Sequence, residues 1–201
     1  MDKAAMYDLS YGLYVLTAKE GDKDNGCIIN TAVQVTTTPN RITIAINKQN
    51  YTHDMILRTG LFNVSMISEK AVFPLFERFG FQSGKDVDKF DGFQCPASEN
   101  GIKYVPEGVS SYISCKVVSQ MDLGTHTLFL ADVTDGVKLS KDAPMTYAYY
   151  HKNIKPKPVQ PSKPGGYRCK ICGYIYEGEP LPEDFICPIC KHGAIDFEKI
   201  V

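Results

Sequence analysis

The sequence predicts a mainly β fold with a few helices, followed by a small second unit. Three observations carry that prediction. Seven segments are rich in Val, Ile, Thr, Tyr and Phe, the residues that suit a pleated, half-buried surface. Only two segments combine helix-start with helix-stop signals, so few helices are available to cover a sheet. No G-x-G-x-x-G stretch follows a strand, which disfavours a parallel dinucleotide-binding sheet. Many strands with few helices favour a closed or nearly closed β-barrel.

In chain order, strands are expected at 13–18, 27–37, 41–47, 61–67, 112–120, 127–133 and 144–150. Asn25-Gly26 reads as the turn entering the second of them. Thr36 to Asn40 forms a polar turn after it, and Asp135-Gly136 marks a later turn. One helix follows Thr52 as its N-cap and stops at Gly60. A second lies within 69–79, where Pro74 requires a kink or a late start.

At 201 residues the chain has room for a domain of about 150 residues and a small one. Lys plus Arg number 22 against 23 for Asp plus Glu, so no long-range pull toward nucleic acid or membrane is built in. The first residues lack the apolar centre of a secretory signal, and no stretch approaches a membrane span. Cys27, Cys95 and Cys115 stand apart with no framework spacing, which suits small apolar packing in a reducing compartment. The expected location is the cytoplasm. The clearest compositional break is 151–166, with four prolines, four lysines and no acid. It reads as an extended linker between a domain at 1–150 and a second at 167–201.

That second unit carries Cys169-Lys170-Ile171-Cys172 and Cys187-Pro188-Ile189-Cys190, two Cys-x-x-Cys hooks fourteen residues apart. Four thiolates so spaced form a tetrahedral sulfur cage for zinc or iron. Zinc would make the unit a structural knuckle, and iron a one-electron relay. Four basic residues against six acidic ones from Tyr167 onward disfavour a zinc ribbon on nucleic acid.

Three features of the first domain suit a ligand, although each is also what an ordinary strand, helix cap or loop looks like. Asn30, Thr31 and Gln34 interrupt an apolar run with groups that need partners. Asn47, Lys48 and Thr52 lead from a strand into a helix start, a place for an anion. Ser83, Gly84 and Lys85 sit in a basic, glycine-bounded turn after the second helix.

The order N-T-A-x-Q-V-T-x-x-P, I-N-K-x-N-Y-T-H, F-G-x-x-S-G-K-D-x-D-K-F and Gly124-Thr125-His126-Thr127-Leu128-Phe129 resembles the flavin reductase family, an FMN-binding split β-barrel. The pattern Y-x-C-x-x-C-G-Y-x-Y, then C-P-x-C and Phe197, resembles rubredoxin, in the compact form attached to rubrerythrins. The fusion resembles the high-molecular-weight rubredoxins, which feed electrons to flavodiiron proteins. The resemblance implies that Asn30, Thr31, Val33 and Gln34 run along the flavin ring. It implies that Asn47, Lys48, Thr52, Ser83, Gly84 and Lys85 hold the ribityl chain and phosphate of FMN. It places His126 beside the flavin, where nicotinamide docks, as the catalytic candidate. One departure is Thr125, where the family often has an acid, so the choice between NADH and NADPH does not carry over. It also implies one iron held by Cys169, Cys172, Cys187 and Cys190, and a homodimer with flavin at its interface. NAD(P)H gives two electrons together and one iron takes one, so FMN would divide the pair. Two rival readings remain at this point: a reductase that releases reduced flavin and has a structural zinc tail, and a carrier without nicotinamide activity.

Overall fold

The computed structural model describes residues 3–156, 165–170, 173–188 and 192–200. The chain divides into two compact units, residues 1–153 and 154–201. In the first, β1 (Tyr14–Glu20), β2 (Lys23–Ile29), β3 (Val33–Thr37), β4 (Asn40–Asn47), β5 (Leu61–Ile67), β6 (Val109–Asp122) and β7 (His126–Lys138) form one antiparallel sheet. Their order is β2-β1-β5-β6-β7-β4-β3. The two edge strands are consecutive in sequence and are joined through Asn30, Thr31 and Ala32. This is the split barrel that the sequence predicts.

Alternation along each strand sets the inside. In β4, Ile42, Ile44 and Ile46 are buried, and in β7, Thr127, Phe129 and Ala131. The apolar ones among them meet Leu16, Ala18, Cys27, Ile29, Phe62, Val64 and Cys115 in one core. Helix α1 (Tyr51–Thr59) closes this core with Met55 and Ile56. Asp54 in its first turn and Arg58 in its last oppose the helix dipole favourably. Gly60 ends it at φ 69°, donating its N–H to the Ile56 carbonyl, a left-handed stop open to glycine at little cost. Helix α2 (Phe73–Gly80) buries Leu75, Phe76 and Phe79. Pro74 lies in its first turn, where a missing N–H costs nothing, so the helix starts late instead of kinking.

Several local expectations are corrected. The N-cap of α1 is Asn50, not Thr52: the Asn50 side chain accepts the Thr52 N–H at 3.1 Å, and Thr52 is already inside the first turn. The expected strand 27–37 is two strands, β2 and β3, parted at residues 30–32. Asn25-Gly26 is not a turn but the middle of β2, paired with Ala18 and Thr17; the reversal occurs at Gly21, whose φ is 58°. Asp135-Gly136 also lies inside a strand, opposite Ser114 and Ile113. Both dipeptides have turn chemistry, yet cross-strand pairing on each side overrides it. The expected strand 144–150 is an isolated bridge at Pro144 and a helical turn at Tyr147–Tyr149, capped by the Thr146 hydroxyl. A π-turn at Tyr150–Ile154 follows, so the segment expected to be extended starts helically. Residues 157–164 of that segment lie outside the described residues.

The second unit contains β8 (Tyr167–Cys169), β9 (Ile175–Tyr176) and β10 (Phe197–Lys199) in the order β10-β8-β9. Its interior is aromatic: the Phe185 ring lies 4.6 Å from Tyr176 and 5.4 Å from Phe197. Among the described residues, no helix is long and apolar enough to cross a membrane.

Phe129 is fully buried at the centre of the barrel core. Replacing it with Ala is expected to cost about 3–5 kcal/mol of unfolding free energy in urea titration. A loss below about 1 kcal/mol would show that the barrel core is not packed this way.

Candidate functional site

Strand β2 and the loop after α2 meet at the start of α1. Asn25 in β2 is buried, and its Nδ2 donates to the Thr52 hydroxyl at 3.0 Å. Gly84 packs directly on that amide: a Cβ added there would lie 2.0 Å from Asn25 Oδ1. Lys23, from the same strand, donates its ammonium to the Gly84 carbonyl at 2.9 Å and lies 4.9 Å from the centre of the Tyr51 ring. The Ser83 hydroxyl accepts the Lys85 N–H at 3.2 Å, and Ser83 and Lys85 are exposed. The result is a cationic rim, with Lys23 and Lys85, beside the N-terminus of a helix, the arrangement that suits an anion. Thr52 itself is buried with its hydroxyl on Asn25, so it braces this rim from beneath.

The other end of the site is the β6–β7 hairpin. His126 pairs with Asn47 across β4 and β7. The next residue, Thr127, has its hydroxyl 2.8 Å from His53 Nε2, and His53 Nδ1 lies 2.9 Å from Asp54. His53 is adjacent to Thr52, so a run of contacts connects the His126 strand to the Gly84 loop through buried side chains. The Thr125 hydroxyl sits 2.9 Å from His126 Nδ1. Asn47 accepts the Gln49 N–H at 2.9 Å. Lys48 is not brought to the Gly84 loop: its ammonium lies 2.7 Å from both oxygens of Asp122.

Along β4, Thr31 is latched to Ala45, donating to its carbonyl at 2.9 Å and accepting its N–H at 3.2 Å. This uses the Thr31 side chain in holding the chain where β2 gives way to β3. Val33 and Gln34 start the exposed edge strand β3, opposite Thr43 and Ile42, and Gln34 donates to Asn40 at 2.8 Å. Asn30 precedes this edge at the strand break. The residues at 30–34, Asn47 and His126 thus follow one another across β3, β4 and β7.

Asn25, Lys23 and Lys89 were not among the sequence candidates. Asn25 was hidden by its turn-like dipeptide with Gly26, and Lys23 by its place in an acidic stretch. Lys89 is buried, and its ammonium donates to the carbonyls of Gly26 at 2.9 Å and Phe79 at 3.1 Å. It ties β2 to the last turn of α2, from which the 81–87 loop departs, and a cation suits that helix end. Burial pulls its ammonium down to about 8. Burial also pushes the Cys115 thiol up to about 12 and Cys95 to about 11, and raises Cys27. These three hold protons at neutral pH and are packing groups, as expected.

In the second unit, Cys169 and Cys187 are buried. Cys172 and Cys190 lie outside the described residues. Gly173 has φ 82° and donates its N–H to the Cys169 carbonyl at 2.9 Å, a tight reversal after the first hook that glycine permits. Each hook is also bridged by a matching bond from its first cysteine to a carbonyl five residues on: Cys169 N–H donates to the Tyr174 carbonyl and Cys187 N–H to the His192 carbonyl, both at 2.8 Å. The sequence supplies four thiolates to this unit, a soft donor set that fits iron or zinc.

Residues 6–157 match the flavin reductase like domain family, and residues 167–198 match the rubrerythrin, rubredoxin-like domain. The high molecular weight rubredoxin of Moorella thermoacetica is 38% identical over 229 aligned positions, covering 100% of both chains. The ferric-chelate reductase (NAD(P)H) of Archaeoglobus fulgidus is 36% identical and covers 78% of this chain and 93% of its own. Among solved structures, flavin reductase PheA2 superposes with a TM-score of 0.61 at 25% identity, covering 73% of this chain and 93% of that one.

Lys89 gives a pH signature. Its folded value near 8 lies below the ordinary 10.5, so between those values the unfolded chain holds a proton that the folded chain has lost. Stability therefore rises with pH across that window and is insensitive to this group below it. The thiols titrate alike in both proteins, so in urea unfolding at pH 7.5 and pH 10 the stability of the wild type relative to Lys89→Met should rise, by of order 3 kcal/mol at full extent. Parallel pH curves for both proteins would show that Lys89 is not buried as a charge.

Proposed function

We propose, from the premise that the chain belongs to the flavin reductase-like family and carries a rubredoxin-like domain, that it takes electrons from NAD(P)H and hands them singly to a protein acceptor. One observation supports this reading: the chain joins a lysine-bearing rim at the start of α1 to a unit with four cysteines, of which Cys169 and Cys187 are buried. The flavin and sulfur-bound iron supply what side chains lack, conversion of a two-electron donor into one-electron delivery.

The residues of the barrel fit FMN. Lys85, Ser83 and the backbone around Gly84 would hold its phosphate, with Lys23 and the N-terminus of α1 adding positive potential. Asn25 and Thr52 keep that loop in place from below. The backbone at Asn30, Thr31, Val33 and Gln34, and the Asn47 side, would border the ring. His126 at the opposite margin, with Thr125 on its Nδ1, is suited to the nicotinamide. In the small unit, Cys169, Cys172, Cys187 and Cys190 would hold one iron. The aromatic packing around Phe185 would exclude water from the unit's interior, a lever on the metal's potential. The acceptor is a flavodiiron-type protein, and the compartment is the reducing cytoplasm.

The barrel works as a homodimer in this reading. Val33, Val35, Met121 and Leu123 are all exposed, on the edge strand β3 and the β6–β7 hairpin. An uncovered sheet edge with apolar side chains invites a second copy.

The test is anaerobic mixing of the purified, FMN-loaded protein with NADH or NADPH, with metal analysis alongside. Bleaching of the flavin, with iron as the bound metal, is the expected result; zinc in fully occupied protein would overturn the relay. Cys169→Ser is expected to lose the iron and stop acceptor reduction while flavin bleaching by nicotinamide continues. Acceptor reduction at the normal rate would contradict the relay. Lys85→Ala should weaken FMN about tenfold or more at low ionic strength, with the difference shrinking as salt is raised. Equal affinities would remove Lys85 from the phosphate site.

A further inference from the structure

Lys48 stands in the strand-to-helix segment where a phosphate ligand would be expected, yet its ammonium is committed elsewhere. It grips both oxygens of Asp122 at 2.7 Å. Asp122 in turn accepts the Gly124 N–H at 2.7 Å, and the Lys48 ammonium and this N–H hold its carboxyl below the usual range. Gly124 adopts φ 82°, and the Leu123 N–H closes the hairpin on the His126 carbonyl at 2.9 Å. The Lys48 backbone N–H donates to the Thr125 carbonyl at 3.0 Å. The tip of the β6–β7 hairpin is therefore fastened to the β4–α1 turn twice through one residue, once by backbone and once by charge. His126 lies immediately after the fastened carbonyl, with Thr125 on its Nδ1.

We infer that Lys48 and Asp122 form a clasp that positions His126, and that Lys48 is a positioning residue instead of a phosphate ligand. This rests on the reading of His126 as the residue beside the flavin and nicotinamide. An exposed ion pair adds little to overall stability, but it can select one placement of a hairpin tip and thereby the aim of a ring carried on it. The two roles for Lys48 make opposite predictions for Asp122. A phosphate-binding Lys48 would be freed by removing Asp122, so FMN binding would hold or tighten. A clasp fails equally when either partner is lost.

The experiment uses the full chain with K48M, D122N, the double variant and K48R. The first readout is the imidazole signals of the four histidines in magnetic resonance spectra of flavin-free protein, with the His126 signal assigned by H126Q. The second is the dissociation constant of FMN from flavin fluorescence. Under the clasp, K48M and D122N displace the His126 signal alike, the double variant adds nothing further, and K48R restores the wild-type signal. FMN affinity then changes by less than about threefold in all of them, and nicotinamide-driven flavin reduction slows about fivefold in kcat in both single variants. The inference is overturned if D122N leaves the His126 signal in place, or if K48M weakens FMN by about tenfold or more while D122N does not. Failure of both NADH and NADPH to bleach the wild type would remove the donor reading alone, and the imidazole and FMN readouts would still decide on the clasp.

Discussion

Asn25 is a buried amide in the middle of a strand, and the position of everything around the candidate site depends on where it points. Its donor end meets the Thr52 hydroxyl at the start of α1, and its other face is covered by Gly84 with no room for a Cβ. A buried amide must find such partners or cost several times what an exposed one does. That requirement brings β2, the first turn of α1 and the loop after α2 together. Lys89 secures the same junction from the far side, on the carbonyls of Gly26 and Phe79. The cationic rim is thus a consequence of burial chemistry one layer below it.

The barrel sets the second dimension of the site. Pairing of Asn47 with His126, and of Val33 with Thr43, aligns three strands so that residues far apart in sequence border one stretch of surface. Thr31 holds the crossing between β2 and β3 by gripping Ala45 through both its donor and acceptor capacity. The small unit is organised on another principle. With little area to bury, it relies on aromatic rings around Phe185 and on backbone bonds from Cys169 and Cys187 to carbonyls five residues on.

Much of this was legible from the residues alone because the relevant signals are local. The alternation of Ile42, Ile44 and Ile46 marks a barrel strand, Gly60 marks a helix end, and the cysteine hooks mark the rubredoxin-like unit. The misread places share a cause. Asn25-Gly26 and Asp135-Gly136 carry the composition of turns, but their partners across the sheet decide their conformation, and those partners are 7 or more residues away. Thr52 and Asn50 compete for one cap, and the outcome depends on Asn25 claiming the Thr52 hydroxyl. Lys48 has the right type and place for an anion site, and only the fold reveals Asp122, 74 positions on, as its partner. Lys89 is a lysine in an acidic run, and sequence alone would leave it in solvent.

Passing electrons from NAD(P)H, which gives two together, to a metal that takes one requires a group that can do both, and the barrel and the cysteine unit would hold that group and the metal respectively. The direct measurement is an anaerobic titration of fully loaded protein with NADH or NADPH, following flavin and metal absorbance together. A relay of this kind reaches full reduction of both chromophores at about 1.5 nicotinamides per chain, two electrons for the flavin and one for the iron. An end point of about one nicotinamide per chain, with no change in any metal band, would contradict it.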